Sequence, residues 1–92
     1  MITGFRHKGL ELYYREANEA ELPGSPLTRI SLILTRLEAS GRPEHMNVPG
    51  YGFHAFAGNL RGVYSVEVTD QVRLLFQFEA EDATEVDYID HR

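Results

Sequence analysis

The side chains in this sequence best suited to chemistry are four histidines, His7, His45, His54 and His91, and a few arginines, above all Arg61 and Arg73. Histidine titrates near neutral pH, so it can take up or release a proton under working conditions. The planar donors of arginine match the oxygens of a phosphate. Breaking an RNA chain asks for little more: a base for the 2′-hydroxyl, a cation for the charge on phosphorus and an acid for the leaving oxygen. Other chemistries have no footing here. There is no cysteine, hence no thiolate nucleophile and no disulfide framework. No serine stands in an elbow motif, and no glycine-rich phosphate loop occurs.

Each of these residues also has an ordinary structural reading. A histidine in a strand more often makes a structural hydrogen bond than transfers protons, and an arginine alternating with apolar residues is more often a solvated sheet residue. Asp90-His91-Arg92 reads equally as a polar tail. His54, Asp90 and His91 could together bind a metal, but no ligand spacing of the H-x-x-x-H kind appears, and no metal or cofactor is expected.

The elements that must position these groups follow from periodicity. Residues 1–7 read as a short strand with Ile2 and Phe5 as apolar members, and Gly9 to Ala17 as a first helix. Pro23, Gly24 and Pro26 then interrupt the chain. Ser25-Pro26 is a good helix start, with the serine expected to cap the free N–H groups. Leu27, Ile30, Ile33, Leu34 and Leu37 form one apolar stripe, Arg29 and Arg36 lie beside it, and Gly41-Arg42-Pro43 ends the helix. From residue 52 the period falls to two. Strands are expected over 52–56, 63–68, 72–78 and 84–89, joined by turns at 59–62, 69–71 and 79–82. In the third strand Val72, Leu74, Phe76 and Phe78 alternate with Arg73, Leu75 and Gln77, so Arg73 points away from the helices. The fold class is α+β: one domain over residues 1–92, with two N-terminal helices on one face of an antiparallel sheet whose other face is open.

The net charge is −5. Residues 1–50 hold six basic and six acidic residues, whereas residues 51–92 hold three basic (Arg61, Arg73, Arg92) and eight acidic ones. Phosphate contacts carry much of the affinity of a nucleic-acid binder, so this balance argues against RNA unless arginines cluster locally. The first residues are charged and lack an apolar run, so neither a secretory signal nor a membrane span is expected.

The order of these motifs resembles the HigB toxins, a branch of the RelE superfamily, along essentially the whole chain. FRHKGLELYY is similar to that family's opening strand and first helix, FHAFAGNLRGVYSVEV to its stretch of histidine, loop and strand, QVRLLFQFE to its central arginine strand and VDYIDHR to its terminus. The resemblance implies a RelE-like fold and a metal-independent, ribosome-dependent mRNA endonuclease in the cytoplasm, neutralised by a cognate helix-turn-helix antitoxin. It implies catalytic roles for His54, Arg73 and Asp90, with Arg61 holding the RNA backbone; beside these, His91 is read as a further proton-transfer residue and Arg92 as a further contact to the RNA. Two departures stand out. Ala57 occupies the loop where the family usually has a lysine. The terminal histidine stands one residue earlier than usual, which in a strand turns it to the other face. A competing reading is therefore a catalytically weakened module that binds its antitoxin and tunes operon repression. A weaker third is a ribosome blocker that does not cut.

Overall fold

The computed structural model describes residues 1–91, so the expectation at Arg92 lies outside the described residues. Helix α1 spans Lys8–Glu16 and α2 spans Leu27–Ala39. Four strands follow: β1 His54–Ala55, β2 Tyr64–Glu67, β3 Val72–Glu79 and β4 Asp82–Asp90. They form one antiparallel sheet in the order β1-β2-β3-β4. Short 3-10 turns at Pro43–Met46 and Gly58–Leu60 were not expected from the periodicity.

The α2 stripe is the centre of the core. Ile30, Ile33, Leu34 and Leu37 are buried, together with Leu10 of α1 and Val66, Val72, Leu74, Phe76 and Val86 of the sheet. Each such side chain contributes roughly 1.5–3 kcal/mol by leaving water. Because buried residues of β3 alternate with partly exposed ones, the same strand that closes the core presents Arg73, Leu75 and Gln77 on its other face.

Three expectations need correction. The N-terminal residues form no regular strand. They touch the edge of β4 through isolated parallel bridges, Ile2 to Ala83 and Phe5 to Val86. A β-bulge makes the second possible: the β3–β4 register shifts between Leu75 and Gln77, Glu85 takes φ +54, and Val86 is left to bond the carbonyl of Gly4 and the N–H groups of Arg6 and His7. Ser25 does not cap α2. Pro26 is the N-cap with no side-chain bond, and the Ser25 hydroxyl instead pairs with the Tyr88 hydroxyl at 2.8 Å. The first expected strand shrinks to two residues, because Gly50 and Gly52 have φ of +86 and +56 and turn the chain just before it.

Glu38 ties the helices to the edge segment. Its carboxylate accepts a short hydrogen bond from the Tyr14 hydroxyl of α1 and a second, at 3.2 Å, from the Ile2 N–H. Burial, then the bond to Glu38, pushes the Tyr14 phenol from 10.0 up to about 12. The same hydroxyl bond outweighs desolvation and holds Glu38 below its usual 4.5. The two signs are opposite. The tyrosine contribution is complete below pH 10 and disappears as the pH rises through about 12. The glutamate contribution is complete above its ordinary range and disappears as the pH falls through the lowered value. Tyr14→Phe should cost about 1 kcal/mol at neutral pH, the scale of one hydrogen bond to a partly solvated charge. In urea titrations the parent should lose that margin between about pH 10 and 12. Parallel profiles for parent and variant across this window would show that the pair carries no such linkage.

Candidate active site on the open face of the sheet

The site begins with the register of two strands. In the β2–β3 pair Glu67 faces Arg73 and Ser65 faces Leu75, while in β1–β2 His54 faces Ser65. Directly opposed residues share a face, so His54, Ser65, Glu67 and Arg73 all stand on the face away from the helices. Ser65 is fully buried beneath its neighbours, whereas His54 is exposed, its ring edge-on to Phe56 at 4.7 Å between centroids.

Arg73 is held rather than free. Its Nε donates to Ser65 Oγ at 3.0 Å and its Nη2 to the Gly52 carbonyl at 2.6 Å, while Nη1 stands 3.8 Å from a Glu67 carboxylate oxygen. The Gly52 turn is pinned in its own right. Arg29 of α2 donates to the carbonyls of Gly50 (2.6 Å) and Glu67 (3.0 Å) and lies over the Tyr51 ring at 4.7 Å. A side chain at Gly52 has no space: an added Cβ would come within 3.0 Å of the Glu67 carboxylate and 3.2 Å of its Cβ.

The other histidines divide by role. His7 is the N-cap of α1, its Nδ1 accepting from the Leu10 N–H at 3.0 Å. His45 Nδ1 accepts from the Gly41 N–H at 3.1 Å. His54 and His91 remain for chemistry. His91 extends the β3–β4 ladder by one residue, its N–H donating to the Gln71 carbonyl at 2.8 Å. Strand alternation places it on the side of Ile89 and Arg73. Asp90 faces Val72, so the register puts it on the helix side and does not bring it onto the face of His54 and Arg73. Arg61 is exposed in the turn after the Gly58–Leu60 segment, and Ala57 opens that segment.

Sequence reasoning missed Ser65, Glu67 and Gly52. The signal was present: a tight turn at 69–71 between two-period strands sets residues 67 and 73 opposite one another. Of the remaining basic residues, Arg36 is engaged elsewhere and Arg6 borders this face. Arg36 donates to the His45 carbonyl at 2.9 Å, and Arg6 lies 3.9 Å from Glu85 beside a cleft of about 100 Å³ that also includes Asp87 and Gln77. Among the described residues, no group of three or more His, Asp or Glu side chains is arranged to hold a metal ion, and no helix is long and apolar enough to cross a membrane.

Gly52→Ala should lower stability by roughly 1–2 kcal/mol, combining a left-handed backbone with the Glu67 clash. Urea denaturation measures it. A loss under about 0.5 kcal/mol would mean that the turn does not need glycine.

Comparison with known proteins gives the same direction. A family model described as RelE-like toxin of type II toxin-antitoxin system HigB matches residues 3–92. The chain is 30% identical over 91 residues to the endoribonuclease HigB of Proteus vulgaris, covering 99% of both chains. The protein belongs to the HigB family of RelE-like toxins of type II toxin–antitoxin systems.

Proposed function

We propose that this HigB-family toxin inhibits translation by cutting mRNA on the ribosome, with the open face of its sheet as the RNA-contacting surface and Arg73 at the centre of the site. One observation carries the residue assignment. Arg73 lies between the two available histidines in both directions of the sheet. His54 stands on β1 at the level of Leu75, and His91 lies beyond the end of β4 at the level of Gln71.

The proposed reaction is an in-line displacement at phosphorus. His54 takes the 2′-hydroxyl proton. The freed 2′-oxygen bonds to the neighbouring phosphorus while the bond to the 5′-oxygen breaks, and His91 returns a proton to that leaving oxygen. Arg73 sits where charge builds on the non-bridging oxygens, and its anchoring to Ser65 and Gly52 means that little reorganisation is needed as the charge develops. No step uses a metal. Asp90, on the helix side of the ladder, has no part in this scheme. Arg61, exposed beyond β1, is assigned to the RNA backbone, and the terminal Arg92, for its charge, to the same task.

The type II family implies an antitoxin. The helix-turn-helix character of that antitoxin, the ribosome as the place of action and the cytoplasm as the compartment belong to this proposal. They follow from the family resemblance and the mRNA substrate.

The test is cleavage of a defined message on purified ribosomes. Arg73→Ala should reduce the rate to near background, and His54→Ala or His91→Ala should each lower it by about 10²–10⁴-fold, with all three variants folded by circular dichroism. Wild-type rates from Arg73→Ala would remove it from the site. Wild-type rates from both histidine variants would remove the acid–base assignment and leave Arg73 acting alone.

A further inference from the structure

Among the described residues, the carboxylate that stands against Arg73 is Glu67, and the proposed reaction does not use it. It faces the arginine directly across the β2–β3 pair, with a carboxylate oxygen 3.8 Å from Nη1. The side chains of Arg73 and Glu67 are 30% and 46% exposed, so the pair stands at the surface where substrate would arrive.

The position of Glu67 is fixed from several sides. Its N–H donates to the Tyr51 carbonyl at 2.7 Å, its own carbonyl accepts from Arg29 at 3.0 Å, and its side chain fills the space over Gly52. On the other partner, Nε and Nη2 are engaged by Ser65 and Gly52. Nη1, the nitrogen outside those two bonds, is the one that faces the carboxylate. A carboxylate and a phosphate compete for the same planar donors, and two anions on one guanidinium repel each other.

We propose that Glu67 is an internal competitor for the RNA phosphate. It occupies the open edge of Arg73 in the free protein and yields when a phosphodiester enters. The inference rests on the reading that Arg73 contacts the scissile phosphate. Glu67 is then a positioning residue that weakens capture of RNA generally and favours substrate presented in a fixed place, as on a ribosome. A half-exposed ion pair is a weak one, so the competition sets affinity without blocking the site.

The experiment measures binding of the purified protein to ribosomes carrying an mRNA whose 2′-oxygens in the decoding region are methylated, so that no variant can cut it. Glu67→Gln keeps the shape over Gly52 and removes the charge. Glu16→Gln makes the same change in net charge on the last residue of α1. Glu67→Gln should bind about two- to fivefold tighter, the range that such a pair supports, and the gain should shrink as salt rises. Glu16→Gln should bind as the parent does. The gain should vanish when Glu67→Gln is combined with Arg73→Ala.

Unchanged or weaker binding by Glu67→Gln, with Arg73→Ala still losing affinity, would overturn the competitor and leave the role of Arg73 intact. An equal gain in the Arg73→Ala background would reduce the effect to bulk charge and overturn it as well. Parent-like binding and parent-like cutting of an unmethylated message by Arg73→Ala would remove the phosphate contact itself, and the competitor with it.

Discussion

The register of the β2–β3 hairpin is the constraint from which both faces of the molecule follow. Thr69 sets it. Its hydroxyl accepts from the N–H groups of Gln71 and Val72, and the Val72 carbonyl accepts in turn from the N–H groups of Val68 and Thr69. With the turn closed in this way, Val66 and Leu74 meet on the core side, and Glu67 and Arg73 on the open side. A slip of one residue would drive Arg73 into the apolar layer beneath α2 and expose Leu74 and Phe76, at a cost far above any single turn contact. The hydrophobic core therefore enforces the geometry of the site. Burying Val72, Leu74 and Phe76 is what holds the arginine outward.

A second layer of control comes from how the cations are used. In a chain with net charge −5 the arginines are few, and several serve structure. Arg29 and Arg36 tie α2 to backbone carbonyls of the segment leading to β1, Arg29 also to that of Glu67 in β2, and Arg15 pairs with Glu11 within α1. Arg73 is left among Ser65, Glu67 and the Gly52 carbonyl on a sheet face that also carries Asp87. Long-range attraction of a polyanion to such a face is weak. In the proposed reading, recognition of RNA then rests on short-range fit around one pre-positioned guanidinium. That suits a substrate already held in place by a larger assembly.

Much of the architecture was legible in the sequence, for identifiable reasons. The α2 stripe and the alternation in β3 are strong periodic signals, and both faces of β3 came out as the pattern implied. Arg73 on the open face followed from that alternation. What the sequence obscured was set by single conformations. The bulge at Glu85 and the positive φ at Gly50 and Gly52 have no periodic signature, and they decide where β1 begins and how the N-terminal residues reach β4. Ser25 has the residue type of a helix cap, but Tyr88, distant in sequence, claims its hydroxyl. Asp90 and His91 fall in what the sequence presents as a polar tail, yet pairing with β3 continues through them and separates them onto opposite faces. His7 and His45 show the converse. Their type offered chemistry, and local backbone geometry made His7 a helix cap and His45 an acceptor for the Gly41 N–H.

The most direct test of the central claim, that the open sheet face receives mRNA at Arg73, is an electron cryo-microscopy structure of the protein on a ribosome whose message is 2′-O-methylated at the decoding site. The account predicts the open face against the message, the Arg73 guanidinium within hydrogen-bonding distance of a backbone phosphate, His54 on the 2′-oxygen side and Glu67 turned away from Nη1. A complex in which the helices meet the message, or in which Arg73 keeps its contact with Glu67 while the RNA lies elsewhere, would contradict it.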